Sequence, residues 1–136
     1  MPPATTPARP TRHLYEYAIV RVVPRVERGE FVNVGVVLLC RAQGFLHVRL
    51  GVDEPRLRAL FAGSLDLPDL TARLHAITRI CAGRATGGPI GQMGLAERFR
   101  WLTAARSALV QMSAVHPGLC TDPAETLDRL FGELVA

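Results

Sequence analysis

Between Tyr15 and Leu50 the chain alternates in polarity: YEYAIVRVV, FVNVGVVLLC and FLHVRL are dominated by β-branched and aromatic residues and bounded by turn formers. This predicts strands over 15–23, 31–40 and 45–50. The link RAQG is short and ends in glycine, so the second and third strands should form a hairpin. PRVERG before Phe31 is a longer polar connection in which Gly29 is free to take positive φ.

Past Gly51 the period changes to that of a helix. Asp53 can cap DEPRLRALFAG, with Pro55 in the first turn, apolar Leu57, Leu60 and Phe61, and Gly63 at its end. Asp66 can cap a second helix in which Leu70, Leu74, Ile77 and Cys81 recur at helical spacing up to Gly83. Gly83 to Gly94 reads as a glycine-rich loop, after which LAERFRWLTAAR is helical through Leu95, Phe99 and Leu102. SALVQMSAV, from Ser107 to Val115, alternates and is expected to be a fourth strand, and HPGLCTD a turn-rich link. Asp122, Pro123 and Glu125 open a last helix with Leu127, Leu130, Phe131 and Leu134 on its apolar side.

Strand parity adds a prediction about faces. Even positions are apolar throughout: Ala18, Val20, Val22; Val32 to Cys40; Leu46, Val48, Leu50; Ala108, Val110, Met112 and Ala114. Odd positions mix aromatics with polar groups: Tyr17 and Arg21, Asn33 and Gly35, His47 and Arg49, Gln111 and Ser113. The expected fold is therefore α+β, a four-stranded, mainly antiparallel sheet in the order β-β-β-α-α-α-β-α. Helices should pack on the even-numbered face and leave the odd-numbered face half wet. Residues 1–13 are expected to be a flexible lead-in to a single domain over 14–136.

Composition narrows the chemistry. At 49% hydrophobic and 21% charged residues the chain is globular in character. No apolar run approaches the roughly 20 residues that cross a bilayer, and MPPATTPARPTR, with four prolines, does not read as a secretory signal. Cys40, Cys81 and Cys120 are far apart with no CxxC, which points to a reducing cytoplasm. All 16 basic residues are arginine, so no Schiff-base, general-base or phosphate-binding lysine exists. The formal net charge is +4; Arg9 and Arg12 supply part of it, leaving too little to imply nucleic acid alone.

The stretch RVVPRVERGEFVNVGVVLL, then FRWLTAARS, then VHPGL followed by Asp-Pro and LDRLF, resembles the bacterial family called domain of unknown function 3037. The resemblance spans about residues 14 to 135, with GEFVNVGV its most specific part; Ala105 stands where the family pattern leads one to expect proline. The family has no established activity, so the resemblance assigns no catalytic or binding residue. It implies a small cytoplasmic protein, encoded beside HipA-like kinases and acting as an accessory partner.

Weighed residue by residue, Arg21, Arg25 and Arg28 suit an anion, but Glu16, Glu27 and Glu30 favour a solvated turn of ion pairs. Asn33 and Gly35 could line a shallow site with Arg21 and His47, although satisfaction within the fold is the preferred reading. The four histidines and three cysteines contain no zinc-type ligand pair, so neither metal nor cofactor is expected. GRATGGPIGQMG lacks the GK[ST] ending of a phosphate loop. Ser107 and His116 sit at opposite ends of the predicted fourth strand, about 25 Å apart, and cannot be a nucleophile and its base. A catalyst built on Arg21, Glu30, Asn33 and His116 has no supporting spacing.

The expectation is a non-catalytic protein-binding module. Its candidate face comprises Tyr17, Arg21, Asn33, Gly35, His47, Arg49 and Gln111, with a kinase-like protein as partner. The alternative is single-stranded nucleic-acid binding on the same face.

Overall fold

A computed structural model of the chain describes residues 11–24, 28–61, 63, 65–83, 87–104 and 109–136. The expected α+β architecture with an antiparallel sheet holds. Strands β1 (His13–Val22), β2 (Val32–Cys40) and β3 (Phe45–Leu50) come first, with a 3-10 turn at Arg41–Gln43 closing the hairpin on Gly44 at φ 60°. Helices α1 (Glu54–Leu60), α2 (Leu67–Ala82), α3 (Gly88–Gly91) and α4 (Leu95–Thr103) follow, then β4 (Val110–Met112), β5 (His116–Cys120) and α5 (Pro123–Leu134). Across the sheet the order is β3-β2-β1, with β4 and β5 end to end along the outer side of β1.

The caps read from sequence are in place. Asp53 accepts from Arg56 N, Asp66 from Asp69 N, and Asp122 from both Ala124 N and Glu125 N. Each helix also carries proline in its first turn, where the missing N–H is not needed.

Three expectations change. Among the described residues the strand count is five: HPGLC, expected as a turn, pairs with β1 from Tyr17↔His116 to His13↔Cys120. The strand expected at Ser107–Val115 is ordered as β4 over Val110–Met112, its first two residues lying outside the described ones. Ile19 bonds Ser113 while Tyr17 faces His116, so two edge residues, Ala114 and Val115, oppose Ala18 alone. This bulge joins β4 to β5, and it is held by Ser113, whose hydroxyl accepts the Ile19 N–H at 2.8 Å in place of a carbonyl. Third, the loop over Gly83–Gly94 contains the short helix α3; its residues 84–86 lie outside the described ones.

The parity argument holds in β1 and β3 and fails in β2. Val20 faces Gly35 but Arg21 faces Asn33, so Val34 is an extra residue, and the strand changes phase there. On the lower face Ala18, Val20, Val22, Val34, Val37, Leu39 and Leu46 join side chains of α1, α2 and α4 in one core. On the upper face Val36, Leu38 and Cys40, all even, lie with Tyr15, Cys120, Leu127 and Leu130 in a second core beneath α5. Helices therefore cover both faces, because the phase change gives the apolar side of α5 a floor of its own. Among the described residues no helix is long and apolar enough to cross a membrane.

Arg98 is the polar centre of the lower layer, only 9% exposed. Its Nη1 donates to the carbonyls of Ile80 and Cys81 at 2.8 Å and its Nε to that of Met93 at 3.0 Å. The first two belong to the last turn of α2, where orphan carbonyls and the helix dipole favour a cation. Gly83 makes room: a Cβ there would stand 2.7 Å from Arg98 Nη1.

Candidate functional site

Helix α5 divides the upper face and with it the seven candidate residues. Asn33, on the β2 side, donates from Nδ2 to the Leu134 carbonyl at 3.1 Å and so fastens the end of α5. On β3, Arg49 forms an ion pair with Asp128 of α5 and lies 4.8 Å above the Phe131 ring. Phe131 in turn rests on Gly51. These polar groups of the mixed face are the clamps of the helix that covers it. His47, also on β3, is exposed, with its ring 4.5 Å from Phe45.

Gly35 belongs to the lower face. It faces Val20 and Leu50, and a Cβ there would meet Leu50 Cδ2 at 2.6 Å and the Arg49 carbonyl at 2.7 Å. Its lack of a side chain admits the neighbouring strand where the bulge draws the ladder in. It is fully enclosed and shares no surface with the other six.

Tyr17, Arg21 and Gln111 lie on the other side of α5, along β1 and the β4–β5 edge. Arg21 and Gln111 face one another across the β1–β4 ladder, and Tyr17 faces His116 across the β1–β5 ladder. The Tyr17 and His116 rings are 5.3 Å apart and tilted by 35°, with Tyr15 a further 6.1 Å from Tyr17. His116, expected in a turn, is thus an exposed strand residue of this strip. Four strand residues separate it in register from Arg21, about 13 Å, so the grouping of Arg21 with His116 is not drawn together. Glu30 is bonded to Arg28 at 2.9 Å; Arg25 and Glu27 lie outside the described residues.

Phe31 completes the strip. Just before β2 and 47% exposed, it lies beneath the Arg21 guanidinium at 4.1 Å. Arg21 is half-buried, and its Nε is sealed from solvent without an acceptor. Asn33 Oδ1, on the residue directly across the ladder, is sealed without a donor. Such buried orphans are uncommon and mark this corner as polar but incompletely satisfied. Phe31 and Asn33 also line a groove of about 360 Å³ with Arg56, Glu133 and Leu134. A wider hollow of about 570 Å³ lies at the α1–α2 turn, around Phe61, Leu65 and Pro68, and touches none of the candidates. Among the described residues no cluster of three histidine, cysteine or acidic side chains could hold a metal ion.

The contrast with the thiols is instructive. Cys81 is pushed up to about 12 by burial, against which the nearby Arg98 acts only weakly. Cys120 is raised by burial first and then by the neighbouring Cys40, with which it lies in the core under α5. Both belong to the cores and not to the strip. The missed members of the strip, Phe31 and His116, had a signal in sequence: each sits beside turn residues at the end of an alternating run.

Geometry and fold define, among the described residues, an α+β protein with a sheet clamped between helices and an exposed aromatic–arginine strip along β1 and its outer edge. The chain belongs to the family described as Protein of unknown function (DUF3037), whose model matches residues 17–135. No curated protein and no solved structure matches it.

Proposed function

We propose that this chain is a non-catalytic protein-binding module of the bacterial cytoplasm, docking its partner on the strip formed by Tyr17, Arg21, Phe31, Gln111 and His116. The observation that carries this reading is Arg21: a half-buried guanidinium stacked on an exposed ring, with no acid beside it among the described residues. Aromatic and arginine side chains in such patches are the residues that dominate binding energy in protein interfaces. The family resemblance makes a HipA-like kinase the first partner to try. Purified chain and kinase should co-elute, and Arg21→Glu or Phe31→Ala should weaken the complex by about tenfold or more. Absence of a complex, or one indifferent to both substitutions, counts against the proposal.

A second reading keeps one specific observation, the Tyr17–His116 ring pair on the same strip as Arg21 and Phe31. Stacked rings with arginine suit single-stranded nucleic acid. Salt-dependent retention of labelled oligonucleotides, lost in Arg21→Glu, would favour it over the first.

A further inference from the structure

The geometry points to Arg21 as the seat for a single carboxylate of the partner, an aspartate or glutamate side chain or a chain terminus. This inference rests on the docking strip proposed above and specifies its chemistry. Among the described arginines, Arg98 and Arg21 are the most buried, one on either side of the sheet. Arg98 is enclosed and answered by three carbonyl oxygens. Arg21 is half-enclosed, and its Nε is sealed with no hydrogen-bond partner among the described residues. Five other arginines, Arg28, Arg49, Arg58, Arg73 and Arg129, have carboxylate partners within the chain. Arg21 therefore carries a cation already partly stripped of water by the fold, so an arriving anion has less desolvation left to overcome.

Three features select the anion. Phe31 occupies one face of the guanidinium at 4.1 Å and holds its plane, while the Arg21 residue as a whole is only half-buried. A planar carboxylate matches what remains of that planar fork. Among the described residues the excess of positive charge here is small: Arg28 nearby in sequence is neutralised by Glu30 at 2.9 Å, Arg56 shares the groove beside Phe31 with Glu133, and Asn33 Oδ1 adds a negative dipole without a donor across the ladder. Glu133, which shares a groove with Phe31, is held by Arg129 at 3.2 Å. A phosphate, with a charge of about −1.5 to −2, needs more cation than this; a carboxylate does not.

The test uses the full chain, labelled with nitrogen-15, titrated separately with acetate, inorganic phosphate and a short oligothymidylate at constant ionic strength. The arginine Nε–H signals are followed, with exposed Arg41, Arg79 and Arg100 as internal references. Acetate should shift the Arg21 signal at least threefold more steeply than those references, and phosphate and oligothymidylate should not exceed acetate. Arg21→Gln should abolish the local response of Phe31 and Gln111 while the remaining amide spectrum superposes on wild type. Phe31→Leu should weaken the response by roughly two- to fivefold, the worth of an exposed cation–π contact. Equal slopes at all arginines overturn the inference, as does a stronger response to phosphate or to the oligonucleotide. A chain that passes this test yet fails to co-elute with the kinase refutes that partner and leaves the carboxylate seat standing.

Discussion

Replacing Arg98 by methionine is the sharpest test of what holds the lower layer together. The substitution keeps an unbranched apolar stem as far as the position of Nε and removes the donors to Ile80, Cys81 and Met93. Three charge-assisted bonds at about 1.5 kcal/mol each are lost, together with about 1 kcal/mol from the α2 dipole. Against this, the fold no longer encloses a guanidinium, which returns some of the several kcal/mol that ion burial costs. The carbonyls cannot be removed with their partner, so the balance stays unfavourable, at about 3 kcal/mol by these terms. For a chain of this size that lowers the melting temperature by roughly 10 °C. Urea unfolding followed by far-ultraviolet dichroism measures it.

A double-mutant cycle with Gly83 isolates the contact. Gly83 sits at φ 77° and ψ −169°, a region almost closed to other residues, and its missing Cβ leaves space for Nη1. Gly83→Ala should therefore cost about 2 kcal/mol in wild type, from strain and from displacing Arg98. In the Arg98→Met background only the strain persists, and the two costs should differ by about 1 kcal/mol. If Arg98→Met unfolds within 0.5 kcal/mol (about the scatter of surface substitutions) of wild type, or Gly83→Ala costs the same in both backgrounds, the clamp does not exist as described.

Gly35→Ala should destabilise by about 2–3 kcal/mol, because its Cβ meets a backbone oxygen that cannot swing away; urea midpoints decide this, and a neutral result denies the close approach at the bulge. Asn33→Ala should cost about 1 kcal/mol and speed hydrogen exchange at the Val135 and Ala136 amides, both bonded to Phe131; unchanged exchange there would mean that Asn33 does not fasten α5. All three thiols are buried, so a disulfide reagent should label the native chain far more slowly than the urea-unfolded one, and prompt native labelling would contradict the placement. Burial raises Cys81 from 9.0 to about 12, so the fold holds the thiol proton that the unfolded chain releases. Its contribution is complete below pH 9 and declines between 9 and 12, with a slope approaching 1.4 kcal/mol per pH unit, about what one proton supplies. Cys81→Ala should flatten that decline, and an unaltered alkaline slope would assign the proton elsewhere.

The helices were legible because their caps are local chemistry: Asp53, Asp66 and Asp122 each reach an amide two or three residues on. The sheet was legible only up to its bulges. Glycine inside an apolar strand is a known mark of a bulge, and Gly35 carried that mark. The sequence does not state that Val34 is the extra residue, because this depends on how β1 and β3 pair with β2 on either side. The same holds at Ser113, where a side chain stands in for a carbonyl and lets β4 run on into β5. Asn33 and Arg49 were visible as polar groups among apolar ones. Their role was not, since their partners Leu134 and Asp128 lie 101 and 79 residues away.

The place of the open strip follows from the dimensions of α5. Its 12 residues make a helix about 18 Å long and 10–12 Å wide, and strands are spaced about 4.8 Å apart, so it can roof little more than two strand positions. The sheet is four positions wide, with β4 and β5 sharing one. The helix must begin beside β5, because only Thr121 and Asp122 separate them, and it ends at Asn33 on β2. It therefore runs diagonally over the core of Tyr15, Cys40 and Cys120 and away from β1 toward its end at Asn33. The region it leaves uncovered widens in the direction of Arg21 and Gln111. Polar side chains there keep contact with water, except at the sealed Arg21 Nε. Asn33 and Arg49, beneath the helix's path, must instead be bonded to it. An arginine in that uncovered wedge, stacked on Phe31 with no acid beside it among the described residues, is what docking to a partner would explain and packing among those residues does not.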